Sequence, residues 1–151
     1  MNLKKGFTLI ELLVVIAIIG ILAAAVLGNL NSARQKGRDG SIQANLSGIR
    51  ASAEIFFDDN NSYNSSGSNV DDTTCVGNAA TSTILGVQSV QNAINEVNNQ
   101  IAATADVNCQ VTPNQYAISA PLNQGNHWCI DSSGASIEIT ATLGSGDTTC
   151  N

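Results

Sequence analysis

The sequence predicts an α+β protein: one long N-terminal α-helix, apolar enough in its first half to span a membrane, followed by a small head of antiparallel β-sheet with a second amphipathic helix and two disulfides. Three observations predict it. An unbroken apolar run covers Phe7 to Leu27, helix-periodic residues continue to Phe56, and short alternating runs with four cysteines fill the C-terminal half.

The apolar run reads FTLIELLVVIAIIGILAAAVL, interrupted only by Thr8 and Glu11. It is about 20 residues long, the length a helix needs to cross roughly 30 Å of hydrocarbon. The remainder is rich in Asn, Ser, Thr and Gly, so the near-neutral mean hydropathy averages two unlike parts. Past the run, Ile42, Leu46, Ile49, Ala53 and Phe56 recur at steps of four and three, one stripe of a helix, with Gln43, Asn45, Ser47, Arg50 and Glu54 opposite. The predicted organisation is residues 1–6 as a leader, 7–27 as the membrane-spanning helix, 28–57 as its amphipathic second half and 58–151 as the globular head. A helix of about 50 residues extends roughly 75 Å. Gly28, Gly37, Gly40 and Gly48 weaken its second half.

Asp58-Asp59-Asn60-Asn61-Ser62 ends the helix, and the stretch to Thr74 reads as a polar loop. Val87, Val90, Ile94, Val97 and Ile101 mark the second helix, over residues 83–103. Val107, Cys109 and Val111 alternate, as do Tyr116, Ile118 and Ala120. Residues 128–131 and 135–141 form a hairpin around Ser132-Ser133-Gly134, with Gly134 suited to the left-handed position of its turn. The tail 144–147 is flexible by composition.

Cys75, Cys109, Cys129 and Cys150 all follow the apolar run, and with His127 as the sole histidine and no Cys-x-x-Cys spacing, a zinc site lacks ligands. An exported domain with two disulfides is expected. Three pairings are open. Cys75–Cys109 and Cys129–Cys150 are preferred because each closes one local module, the first bracketing the second helix and the second pinning the tail to the sheet.

Charge excludes some functions. Of the net −6, every cation lies at or before Arg50 (Lys4, Lys5, Arg34, Lys36, Arg38 and Arg50), and ten acids follow it. An all-acidic head repels phosphate, so direct nucleic-acid binding by it is not expected. The acidic surface is expected to be a solvated one that aids solubility; pairing of the basic stretch Arg34 to Arg50 with acidic surfaces of neighbouring copies is the sharper alternative. Asp58, Asp59, Asp71 and Asp72 lack the spacing of an EF-hand, so no metal is expected. Asn45, Asn60 and Asn64 open N-x-S triplets, and Asn60 and Asn64 are the candidate glycosylation sites. No Ser-His-Asp set, P-loop or dinucleotide fingerprint is present, so neither an enzyme nor a cofactor is expected.

Three readings compete for the N-terminus. A secretory signal cut after Ala25 would leave a soluble disulfide-bonded binding module, but the apolar run is too long for it and contains an acid. A plain anchor with Lys4 and Lys5 in the cytoplasm fits the flanks and leaves Glu11 unexplained. A charged side chain at the centre of a membrane helix costs about 2.5–3.5 kcal/mol on insertion scales. Cleavage between Gly6 and Phe7 would create a cation, the new α-amine, about one turn from Glu11. Between two staggered parallel helices the Glu11 carboxylate of one meets the Phe7 amine of the next. Such a pair sets register, because other staggers leave both charges unmet.

Lys-Lys-Gly followed by Phe-Thr-Leu-Ile-Glu-Leu-Leu-Val-Val-Ile-Ala-Ile-Ile-Gly-Ile-Leu-Ala resembles the N-terminal signature of type IV pilins and pseudopilins. The resemblance is close over residues 3–27 and loose beyond. It implies that Gly6 is the last leader residue read by a prepilin peptidase, that Phe7 becomes an N-methylated N-terminus, and that Glu11, with Phe7 and Thr8, serves assembly. Gly20 matches a glycine of the family's helix, whereas the proline many relatives carry after it is missing, and no proline precedes Pro113. Trp-Cys-Ile-Asp-Ser-Ser-Gly and the Cys-bounded end resemble the hairpin and C-terminal disulfide loop of pilin heads. The implied partners are further copies in a helical homopolymer, the peptidase and an inner-membrane assembly machinery. The implied location is a single-pass precursor with a cytoplasmic N-terminus, then an extracellular pilus used for adhesion, motility or related surface work. A pseudopilin or minor pilin of a type II secretion-like machine is the alternative in the same architecture.

Overall fold

The computed structural model describes residues 6–67, 69–72, 75, 82–101 and 106–151. Lys4 and Lys5 lie outside the described residues, as does the end of the expected second helix at residues 102–103, and nothing is described of the side chains of Asp71 and Asp72. The chain divides into two compact units, Met1–Gln35 and Lys36–Asn151.

The first unit is the beginning of helix α1, Leu9–Asn60. Every described residue of it from Gly6 to Arg34 is exposed, Phe7 by 87%. Such an uncovered surface requires another apolar medium or another chain. The helix is long and apolar enough to cross a membrane.

In the second unit α1 changes character. Ile42, Leu46, Ile49 and Ala53 are buried and Phe56 half-buried, while Ser47 and Glu54 stay exposed. The helix runs without interruption through Gly28, Gly37, Gly40 and Gly48 and stops three residues later than expected, at Asn60. Asn61 then takes φ +52, with its N–H on the Phe57 carbonyl at 2.6 Å. Asparagine is one of the few residues that adopts this left-handed conformation readily, and it satisfies a carbonyl the helix end would leave open.

Among the described residues five antiparallel strands follow in chain order as a meander: β1 Val70–Asp72, β2 Asn108–Val111, β3 Tyr116–Pro121, β4 His127–Asp131 and β5 Ser136–Ile139. Strand β1 corrects the polar-loop expectation for residues 58–74. Its composition carries no apolar alternation, and it exists because Val70, Asp71 and Asp72 pair with Val111, Gln110 and Cys109. The expected helix over 83–103 is also corrected. It consists of a short 3-10 turn, Ile84–Gly86, and helix α2, Gln88–Asn98, separated at Val87, whose ψ of 126° is extended.

Strand alternation sorts side chains onto two faces. One carries Tyr116, Ile118, Ala120 and Ile130 against Ile42, Leu46 and Ile49 of α1 and Val90, Ile94 and Val97 of α2, forming the main core. The other carries Ala117, Cys129 and Ile139, covered by Leu143 and Cys150 of the C-terminal tail. Cys75 is bonded to Cys109 and Cys129 to Cys150. Their separations of 34 and 21 residues correspond to roughly 3–4 kcal/mol each in the chain-entropy model. The tail read as flexible is a hydrogen-bonded turn: Gly144 N–H donates to Asp147 Oδ2 at 2.9 Å, and Gly146 N–H to Gln110 Oε1 at 3.0 Å.

Candidate functional site: the N-terminal turn of α1

Thr8 precedes the first residue of α1 and Glu11 lies in its first turn. The first N–H groups of a helix have no carbonyl behind them, so a side chain must meet them or water must. Here the two side chains meet them reciprocally. The Thr8 backbone N–H donates to Glu11 Oε2 at 2.8 Å, and the Thr8 hydroxyl donates to the same oxygen at 2.7 Å. Glu11 N–H in turn donates to Thr8 Oγ1 at 3.3 Å. This is a capping box, and it fixes both where the helix begins and which way the carboxylate points. The Thr8 bonds use one carboxylate oxygen, Oε2. Gly6 and Phe7 precede the helix and are exposed, so the peptide between them stands outside the first turn. The turn thus presents an accessible Gly-Phe bond, an exposed aromatic and an oriented anion at the head of an uncovered apolar helix.

Residues 1–27 match the family model described as the prokaryotic N-terminal methylation motif. The major component of the type IV wide pilus of Thermus thermophilus is 51% identical over 65 residues, which is 43% of this chain and 50% of that protein. The type IV major pilin of Myxococcus xanthus is 37% identical over 60 residues, 40% of this chain and 27% of that protein. Core protein G of the type II secretion system of Klebsiella pneumoniae is 33% identical over 63 residues, 42% of this chain and 45% of that protein. The N-terminus of this chain carries the prokaryotic N-terminal methylation motif. The chain spans half or less of the length of these curated relatives. No solved structure matches it.

Outside the methylation motif, the remaining sequence-predicted sites separate. Asn60 is exposed at the end of α1, its amide donating to the Phe56 carbonyl at 2.9 Å. Asn64 is 1% exposed, and its Oδ1 accepts from Ser66 N–H and Ser66 Oγ at 3.0 and 2.6 Å. Among the described residues no group of three His, Cys, Asp or Glu side chains stands close enough to hold a metal. Arg50 leaves the basic stretch: its guanidinium donates to the Ala135 carbonyl at the β4–β5 turn. Lys36 and Arg38 stay exposed.

Two buried carboxylates escaped the sequence reading. Asp39, on α1, accepts from Asn123 N–H at 2.7 Å, Asn123 Nδ2 at 2.8 Å and Gln124 Nε2 at 3.3 Å, tying the β3–β4 turn to the helix. Asp131 accepts through Oδ1 from Ser133 N–H, Ser133 Oγ and Ala135 N–H, and through Oδ2 from Cys150 N–H at 2.8 Å. Burial works to raise the Asp131 pKa, but these donors together outweigh it and hold the carboxyl below its usual value.

Proposed function

We propose that this chain is the structural subunit of a surface filament of the type IV pilus kind. Cleavage after Gly6 exposes the Phe7 amine, which is then methylated, and takes the formal net charge from −6 to −8. The precursor waits as a single-pass protein in the bacterial inner membrane with Lys4 and Lys5 in the cytoplasm. Assembly transfers the apolar half of α1 from lipid into a bundle of identical helices, where Glu11 of one copy meets the Phe7 amine of another. The partners in this reading are the peptidase, the membrane assembly machinery and further copies of the chain, and the filament's outer surface is the acidic C-terminal unit.

The observation that carries this reading is Glu11 oriented by Thr8 at the head of a helix whose residues up to Arg34 are all exposed. A secreted module cut after Ala25 would discard both features. Electron microscopy of material sheared from cells producing the chain tests it. Thin filaments that contain the chain, and that vanish in Glu11→Ala while the precursor still enters the membrane, are expected. Normal filament yield from Glu11→Ala would count against it.

The similarity to core protein G favours a second reading, a pseudopilin of a secretion machine. Short or absent fibres, with loss of export of other proteins when the chain is deleted, distinguish that role.

A further inference from the structure

The charges of α1 itself are arranged end against end. Lys36 and Arg38 lie near the start of the second unit, and Asp58 and Asp59 lie in the last turn; all four are exposed. None of them has a hydrogen-bond or ion-pair partner among the described residues. The placement of Asp58 and Asp59 is unfavourable for an isolated helix, because the C-terminus already carries partial negative charge and the last turn has no basic residue. The only other cation of the C-terminal unit, Arg50, is spent on Ala135. Two unmet charge clusters of opposite sign thus sit on one helix, 20–23 residues apart.

We propose that the exposed surface of α1 between these clusters is a contact surface for a second copy of the chain. Lys36 and Asp58 lie about 40° apart around the helix, and Asp58 of one copy meets Lys36 of a parallel neighbour displaced along the helix, with Asp59 and Arg38 adding to the two opposite fields. The displacement follows from the spacing: 20–23 residues at 1.5 Å each is about 30–35 Å. The same register explains an otherwise unfavourable choice of residues. Gly40 and Gly48 each weaken a helix interior by about 1 kcal/mol relative to Ala. A Cβ at either would meet nothing within 4 Å inside the chain, so neither is required by internal packing. With Ala44 they form a shallow exposed row at four-residue spacing. Such a row lets another helix approach closely, and the charges choose its register.

This inference rests on the filament reading and is separable from it. Four versions of the full-length chain are compared in cells that make the filament: wild type, Lys36→Glu with Arg38→Glu, Asp58→Lys with Asp59→Lys, and all four changes together. Precursor level in the membrane is measured alongside sheared-fibre yield, so that loss of folding is recognised. Each double reversal is expected to lower fibre yield at least tenfold at unchanged precursor level, and the fourfold exchange to restore it. Unchanged yield in the double reversals, or no recovery in the exchange, overturns the register. A wild-type chain that forms no fibre overturns the filament reading instead. Electron cryo-microscopy of wild-type fibres should show Lys36 and Asp58 of contacting copies at matching heights, with an axial displacement of about 30–35 Å; a displacement outside it also overturns the register.

Discussion

Thr8 and Glu11 hold each other through three hydrogen bonds, two of them converging on a single carboxylate oxygen of Glu11. The acid therefore has a local duty, starting α1, besides any duty between chains. The two duties can be separated by substitution. Glu11→Gln keeps an acceptor for the Thr8 N–H and removes the charge, whereas Glu11→Ala removes both. If charge sets register, Glu11→Gln should assemble as poorly as Glu11→Ala while retaining slow amide exchange over residues 9–12 in detergent. Filament yield of the Gln variant near wild type would show that capping alone suffices. Thr8→Ser should behave as wild type, since its hydroxyl occupies the same position.

Asp39 joins α1 to the β3–β4 turn through three donors. Asp39→Ala leaves the Asn123 N–H without its partner, and a buried donor left unmet costs roughly 1–3 kcal/mol. A lower denaturation midpoint with faster amide exchange at residues 122–126 is expected. An unchanged midpoint would mean that water replaces the carboxylate without loss.

Asp131 supplies an acid limit to stability. Its folded pKa lies below the unfolded value near 3.8, so the unfolded chain binds its proton first as pH falls. Its contribution is present above about pH 4 and is lost below that, as pH falls through the folded pKa. Asp131→Asn should be destabilised at neutral pH, because an amide NH2 in place of Oδ2 is a donor and cannot accept from Cys150 N–H. It should also show a flatter stability curve below pH 4 than wild type. Parallel acid limbs in the two proteins would remove Asp131 from this role.

The tyrosines set an alkaline limit. Burial pushes Tyr116 up to about 12, with the Glu54 charge adding to it. Tyr63 is raised as well, by burial and by its hydroxyl donating to Glu54 at 3.0 Å. These are the only two tyrosines in the chain, so the absorbance of tyrosinate reports on nothing else. The unfolded chain loses these protons near pH 10, so stability falls as pH rises from about 10 towards 12. Little tyrosinate should form at pH 10.5 in the folded protein, with ionisation accompanying unfolding above it. Half-ionisation near pH 10 in folded protein would contradict the burial of both rings.

Periodicity made much of this fold legible. The stripe from Ile42 to Ala53, the alternation around Tyr116 to Ala120 and the glycine at position 134, with φ +99, each reflect a local rule that packing then reinforces. What escaped is what depends on distant partners. Strand β1 exists through pairing with β2, and α2 starts at Gln88 because Val87 turns extended, neither of which a stripe reveals. Asp39 and Asp131 look like surface acids until donors from 84 and 19 residues away converge on them. At the N-terminus the reverse holds. The Thr-x-x-Glu pattern of a capping box lies in the sequence itself, at Thr8 and Glu11, independent of any distant partner.

Intact mass of the chain purified from the cell surface addresses most directly the claim that processing creates the charge Glu11 is built to meet. The account predicts a polypeptide beginning at Phe7, carrying one added methyl group on its amine and both disulfides closed. A mass that includes Met1 to Gly6, or one that begins beyond Ala25, would contradict it.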